Sequence, residues 1–384
     1  MKIAVMHDYF TQLGGAERVA GEMYRMVPDA NLFATVAFRK CLPAEIKDVK
    51  IRTSWMQNLP RIEQYYRFYF LMYPFAVTDL DFSGYDLVLS SSSGYAKGVR
   101  TGRDAIHVCY CHTPMRWVWN FDTYSKRESF GIAQRMLLPM LIRGLKLWDE
   151  GAARQPDHFV ANSTVVAERI RRAYGRTSEV IHPPIDTQRF RPGGDLENFY
   201  LVLSRLTSYK RIDLAVRACT ERNKKLFVIG DGPDRKSLEA MAGPTISFLG
   251  RASDSDVEYL VARCRALLFP GEEDFGMAPL EVAAAGRPTI AYRAGGALET
   301  IVENSTGIFF DRQTPEDLGD AIERFERFDW STAVLRRRAE EFSLDVFRDR
   351  FRSFLRRVGV QIDGSPSTLP MDRAAQTFAT AATA

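Results

Sequence analysis

Glu273-Asp274-Phe275-Gly276-Met277-Ala278-Pro279-Leu280-Glu281 places two carboxylates around a short turn. The apolar run ending at Phe269-Pro270-Gly271 reads as a strand, and Pro279 suits the first turn of a helix. Gly276 permits a tight backbone approach. The N–H groups of Gly276, Met277 and Ala278 would then stand unpaired at a helix N-terminus, a site that binds phosphate. Glu273 falls in the loop and Glu281 inside the helix, so the two stand at different depths along one ligand. Their natural partners are hydroxyls, of a sugar and of a ribose. Two glutamates near a helix start are also ordinary surface charge; the turn between them gives the pair its meaning.

Five further groups join them. Arg205 closes one strand and Lys210 opens the next helix, so two cations could neutralise a diphosphate, Arg as a planar fork and Lys as a point charge. Solvated loop charge is the plainer alternative. Gly230-Asp231-Gly232-Pro233 turns tightly at a strand end, and Gly250-Arg251 ends the following strand, where its backbone could meet a nucleobase edge. Gly14-Gly15-Ala16-Glu17-Arg18 offers a second helix N-terminus for the same diphosphate. His112-Thr113-Pro114-Met115-Arg116 follows the run Ile106–Cys111, so His112 would point into a cleft at a strand's carboxyl end.

Positioning these groups requires alternating strands and helices. Strands are expected at Ile3–Met6, Asn31–Val36, Tyr85–Ser90, Ile106–Cys111 and His158–Ala161, with a helix over Ala16–Met26. The rhythm restarts after His182-Pro183-Pro184, with strands at Tyr200–Ser204, Leu226–Ile229, Ile246–Leu249, Ala266–Phe269, Thr289–Ala291 and Gly307–Phe310. The expected fold is therefore α/β: two Rossmann-like domains facing across a cleft, residues 1–180 and 184–342. Ser343 could cap a last helix, Leu344–Val358, with Phe347, Phe351 and Phe354 on one side. Residues 361–384, rich in Ser, Pro, Thr and Ala, read as a disordered tail.

The 384 residues allow about two domains. A net charge of +4 does not suggest a nucleic-acid partner. Five scattered cysteines without a CxxC pair point to buried thiols in a reducing compartment. The N-terminus shows no signal-peptide pattern and no run is long enough to span a bilayer, so a cytoplasmic location is expected. Arg61–Phe75 and Phe130–Trp148 mix basic and aromatic residues with apolar ones. They read as helices covering the sheet, or as a surface touching anionic lipid at the cytoplasmic face of the inner membrane.

Taken together, these residues resemble the family 4 retaining glycosyltransferases, which have the GT-B fold. The resemblance runs from Lys2 to about Val358 and includes Asn162-Ser163 and His182-Pro183-Pro184-Ile185-Asp186. Glu273 and Glu281 match the family's E-x7-E motif. Within the family, His112 through Trp117 resembles bacterial mannosyltransferases of O-antigen and exopolysaccharide assembly. By position, the resemblance implies that Glu273 contacts the donor sugar, Glu281 the ribose, and Arg205 and Lys210 the departing diphosphate. Gly15 would approach that diphosphate from the first domain. His112, with Arg116 nearby, would face the reacting sugar and the acceptor. It further implies that the last helix, 343–360, crosses back onto an acceptor-binding first domain, and that no metal is needed. The donor expected is a nucleotide-sugar, GDP-mannose ahead of a UDP-sugar; the acceptor expected is a saccharide on a polyprenyl diphosphate.

Three rivals stand beside this reading. A metal-dependent GT-A enzyme would use Asp-x-Asp, and Asp79-Leu80-Asp81 and Asp254-Ser255-Asp256 fit that spacing. A GT-B nucleotide-sugar epimerase would need no acceptor. A non-catalytic binding module would not need Glu273, Glu281, Arg205 and Lys210 together.

Overall fold

The computed structural model describes residues 1–119 and 132–362, without the side chains of residues 132–137. The expected tail therefore lies, apart from residues 361 and 362, outside the described residues, as does the start of the Phe130–Trp148 segment.

Two parallel sheets form two lobes. The first has the order β3-β2-β1-β4-β5-β6-β7. Its strands are β1 (Ile3–His7), β2 (Asn31–Ala34), β3 (Ile51–Thr53), β4 (Leu87–Ser92), β5 (Ile106–Cys111), β6 (His158–Ala161) and β7 (Glu179–Val180). The second has the order β10-β9-β8-β11-β12-β13. It comprises β8 (Tyr200–Leu203), β9 (Leu226–Ile229), β10 (Ile246–Gly250), β11 (Ala266–Phe269), β12 (Thr289–Tyr292) and β13 (Gly307–Phe310). Sequence order reverses between β1 and β4 and between β8 and β11. In open α/β sheets such switch points open a crevice at the carboxyl ends of the strands.

Central strands such as Ala-Leu-Leu-Phe at 266–269 are apolar without alternation because both faces are covered. In the first lobe, Val5, Leu89 and Tyr110 pack beneath the helix Gly15–Arg25, while Met6, Phe33 and Val88 pack toward the helices Tyr73–Asp79 and Ile132–Ala152. In the second, Val202 and Leu268 meet the helices Ile212–Glu221 and Pro315–Phe325. Leu201 and Leu267 meet the opposite layer, which includes the helices Met277–Ala284 and Thr332–Glu340. All five cysteines are free and buried.

The chain crosses between lobes twice. Ile185 N–H donates to the Phe342 carbonyl (2.8 Å), holding the two crossings together. Ser343 then caps the helix Leu344–Arg357 by accepting from Val346 N–H. Phe347, Phe351, Phe354 and Leu355 bury themselves in the first lobe's core. Each such burial is worth roughly 2 kcal/mol, which ties the chain's last described helix to the domain where the chain begins.

Three local features go beyond or against the sequence reading. Strands β3 and β7 were not anticipated: three and two residues long and partly exposed, they carry no apolar run. The helix Thr164–Tyr174 begins at an N-cap serine, Ser163, with an arginine-rich outer face. Arg61–Phe75 is not one helix. Arg61 adopts a left-handed conformation (φ 47°), a short turn runs over Ile62–Tyr65, and Pro74 starts a new helix at Tyr73–Asp79.

The two-lobed fold removes the GT-A reading, whose Asp-x-Asp pairs have other duties. Asp256 forms a capping box with Ser253, Asp254 pairs with Arg189 (2.7 Å), and Asp81 accepts from Ser83.

Candidate active site

The cleft lies at the carboxyl ends of both sheets. On its second-lobe wall, the turn after β11 bends at Gly276, whose φ of 84° belongs to the left-handed region that favours glycine. A Cβ there would also lie 2.8 Å from the Phe269 ring. Gly276 is the N-cap of the helix Met277–Ala284, and no side chain caps that end. The amides of Met277 and Ala278 are left to a ligand or water. No side chain could fit under the turn: Gly296 lies against Phe275 backbone and Gly295 against the Glu273 carbonyl. Gly296 N–H also donates to that carbonyl (2.9 Å). The sequence reading passed over Gly295-Gly296; the paired glycines just after β12 were the available signal.

Lys210 and Glu273 form an ion pair across neighbouring loops, and a Cβ on Gly271 would lie 2.8 Å from the Lys210 backbone. Burial and the nearby Arg116 lower the Lys210 pKa, Arg205 adds to this, and Asp274 opposes it. Arg205 is exposed and reaches the first lobe, donating to Gln12 (3.1 Å). Glu281 is half-buried in the helix; burial raises its pKa while Arg18 and Arg189 oppose. Phe275 is buried, its ring stacked 5.2 Å from His182 and packed on Phe342. It anchors the turn to the lobe crossing rather than lining the cleft.

Gly230 and Gly232 are required to be glycine by packing. A Cβ on Gly230 would lie 1.9 Å from the Ser204 carbonyl, and one on Gly232 would lie 2.1 Å from that of Leu206. These glycines let the loop after β9 pack under the Arg205 loop. Gly250 has φ 68° and Arg251 is exposed.

On the first-lobe wall, Gly15 abuts the donor turn: a Cβ there would lie 2.7 Å from Met277 Sδ. The helix N-terminus at Gly14 is partly engaged by the chain itself. The buried Glu17 carboxylate accepts from its own N–H, from that of Gly14 and from the Gln12 side chain. Burial pushes Glu17 up to about 7 despite those hydrogen bonds. His112 is buried, and burial with His7 alongside lowers it to about 3, against the pull of Asp274. It is neutral throughout the physiological range.

Arg116 does not stand free for an acceptor. It pairs with Asp274 (2.6 Å) and lies over the Tyr209 ring. Arg169 holds the same carboxylate, and Ser163 Oγ donates to the Asp274 carbonyl (2.6 Å). A second inter-lobe contact joins Thr164 N–H (2.9 Å) and His182 Nε2 (2.8 Å) to Glu299. Sequence reading missed Asp274, Arg169 and Glu299 because their partners lie more than a hundred residues away. It also missed Asp8, whose buried carboxylate accepts from the amides of Tyr95 (2.8 Å) and Ala96 (2.6 Å) and so shapes the loop after β4. Nor did it find the buried pair Lys97–Asp149 (2.5 Å), to which Trp119 also donates. Among the described residues no group of three or more His, Cys, Asp or Glu could hold a metal ion.

Two facing Rossmann-like lobes with a cleft between their strand ends define the GT-B class. Sequence profiles agree: "Glycosyltransferase Family 4" matches residues 13–189 and "Glycosyl transferases group 1" matches residues 185–342. The chain belongs to the family 4 glycosyltransferases.

It is 28% identical over 192 residues to the GDP-mannose-dependent alpha-(1-6)-phosphatidylinositol monomannoside mannosyltransferase of Mycobacterium tuberculosis, covering 42% of this chain and 50% of that protein. The chain thus spans about half the length of the curated relatives it matches. Among solved structures, Anabaena Alr3699/HepE in complex with UDP-glucose is similar, with a TM-score of 0.67 at 16% identity over 93% of this chain and 100% of that one. Sucrose-phosphate synthase from Thermosynechococcus elongatus gives 0.70 at 14%, over 94% and 99%. At these identities the likeness establishes the fold.

Proposed function

We propose that the protein is a retaining hexosyltransferase that takes its sugar from a nucleoside-diphosphate donor, GDP-mannose in first place. The supporting observation is one juxtaposition: the uncapped amides at Met277 and Ala278, the Lys210–Glu273 pair and Gly15 converge on one stretch of the cleft. Breaking the sugar–phosphate bond leaves negative charge on the diphosphate. Fixed amide dipoles, Arg205 and Lys210 would meet that charge, and one such preorganised donor is worth roughly 3–4 kcal/mol in oxyanion sites. Diphosphate entering the cleft would draw Lys210 away from Glu273 and free that carboxylate for sugar hydroxyls. Glu281 would take the ribose.

His112, with a pKa near 3, is too weak a base to hold a proton at neutral pH. It serves as a hydrogen-bonding group toward the sugar, and the leaving phosphate takes the acceptor's proton as the acceptor attacks from the same face. The first lobe would bind the acceptor, a lipid-linked saccharide of cell-surface polysaccharide assembly. Arg116 would join only if Asp274 released it. No step calls on a metal, and activity surviving EDTA would support this.

Guanosine is favoured by the mannosyltransferase relative, which is GDP-mannose-dependent by name. The likeness to a UDP-glucose complex keeps a uridine donor as the second reading. A thermal-shift screen of GDP-, UDP- and ADP-sugars, followed by product analysis with saccharide acceptors, tests the reading. Stabilisation by none of them removes it, and an epimerised donor formed without acceptor would favour the epimerase instead.

Membrane contact is part of the proposal. No described helix is long and apolar enough to cross a bilayer. Phe68, Phe75, Met140 and Leu147 stand at least 64% exposed, beside Arg67 and Arg143. Apolar side chains among cations suit an anionic lipid surface at the cytoplasmic face.

A further inference from the structure

Three neighbouring strands of the first lobe bring two histidines and a serine together at the cleft. His7 pairs in register with Ser91 between β1 and β4, and His112 directly follows β5, the next strand. His7 Nδ1 lies 3.2 Å from the Ser91 carbonyl and 3.0 Å from Ser91 Oγ. Ser91 Oγ lies 2.8 Å from His112 Nε2. All three side chains are buried.

Proton positions follow from what each atom can do. A carbonyl oxygen only accepts, so His7 Nδ1 carries the hydrogen and donates to Ser91. Ser91 Oγ could accept from both rings, but its own buried hydrogen would then be unpaired: among the described residues its one acceptor in reach is His112 Nε2, so it donates there. That nitrogen is therefore bare, and a neutral His112 must carry its hydrogen on Nδ1. Among the described residues, Nδ1 has no hydrogen-bond partner, although the ring sits at the cleft end of β5.

We propose that His7 and Ser91 are positioning residues that fix His112 in its Nδ1–H tautomer, so that His112 offers a hydrogen-bond donor to a ligand oxygen in the cleft. Without the serine the two neutral tautomers would compete, and the Nε2–H form would turn an acceptor toward the ligand. The consequence for turnover rests on the transferase reading; the tautomer does not.

The test uses the full chain with ¹⁵N-labelled histidine. Long-range ¹H–¹⁵N spectra, assigned with His112→Ala, report which ring nitrogen is protonated. The expected result is Nδ1–H for His112 in the parent and in His7→Asn, whose amide can still donate where Nδ1 does. His7→Phe and Ser91→Ala should show mixed or Nε2–H tautomers. Nε2–H in the parent, or a tautomer unmoved in both His7→Phe and Ser91→Ala, overturns the proposal.

With a donor in hand, His7→Phe and Ser91→Ala should each lower kcat about tenfold, the value of one hydrogen bond of ~1.4 kcal/mol. His7→Asn should recover most of that loss, and Ser91→Ala should cost nothing further in a His112→Ala background. Equal losses in His7→Asn and His7→Phe, or a full additional loss in that background, overturn it as well. Should no donor prove active, the transferase reading fails while the spectra still decide the tautomer.

Discussion

Gly15 and Met277, from opposite lobes, face each other so closely that a Cβ on Gly15 would lie 2.7 Å from Met277 Sδ. The contact sits where the N-termini of the helices Gly15–Arg25 and Met277–Ala284 approach one another. A donor seated at the Met277 amide would therefore also meet the first lobe. Gly15→Ala should leave the melting temperature within a few degrees, because Gly15 opens a helix and Met277 is flexible enough to give way. Gly15→Val should weaken donor binding at least tenfold by pushing Met277 into the cleft, and Met277→Ala should restore part of it. Titration calorimetry with the nucleoside diphosphate reads both.

Lys210 and Glu273 should separate in kinetics. Lys210→Ala removes a charge-assisted contact worth roughly 1.5–3 kcal/mol, so diphosphate affinity should drop about 10- to 100-fold. Glu273→Ala should abolish most transfer while leaving diphosphate affinity largely intact, since its carboxylate is reserved for the sugar. Nucleotide calorimetry beside turnover distinguishes them, and wild-type turnover in Glu273→Ala removes the donor-site assignment.

Glu17 ties stability to pH. Its folded pKa is raised by burial to about 7 from 4.5. The folded state therefore binds the proton more tightly than the unfolded chain. That contribution is fully present below pH 4.5 and is lost as pH rises through 7. Glu17→Gln should exceed the parent's stability at pH 8 by up to about 3 kcal/mol, and the gap should close on acidification toward 4.5. Urea unfolding across that range is the measurement, and a gap constant with pH would refute the assignment.

Asp274 is the chief polar tie between the lobes, held by Arg116 and Arg169. Asp274→Ala leaves two partly buried guanidinium groups facing each other, so the cleft should open. Small-angle scattering of the ligand-free protein should show a larger radius of gyration than the parent, and donor should reverse the difference. An unchanged radius would show that Glu299 and the aromatic packing around His182 suffice.

Phe68 and Phe75 should anchor the protein to anionic vesicles. Replacing both with serine should cost little stability, since both side chains are already exposed. Flotation with phosphatidylglycerol vesicles should show binding by the parent, loss in the double variant, and weakening with salt as the cationic share is screened.

The sequence by itself determined the elements and their chemistry. Runs such as Ala266–Phe269 and Ile106–Cys111 coincide with observed strands because a strand buried on both faces must be apolar throughout. The turn from Glu273 to Glu281 was legible because Gly276 and Pro279 are local constraints, readable without knowing what packs above them. Only the tertiary structure decided which charges are free. Arg116 reads as an acceptor contact until Asp274 meets it, and the Phe275 side chain as a cleft group until His182 covers it. The physical reason is range: helix and strand signals act within a few residues, whereas ion pairs, buried carboxylates and the His7–Ser91–His112 chain join segments tens to hundreds of residues apart, brought together only when both lobes have packed.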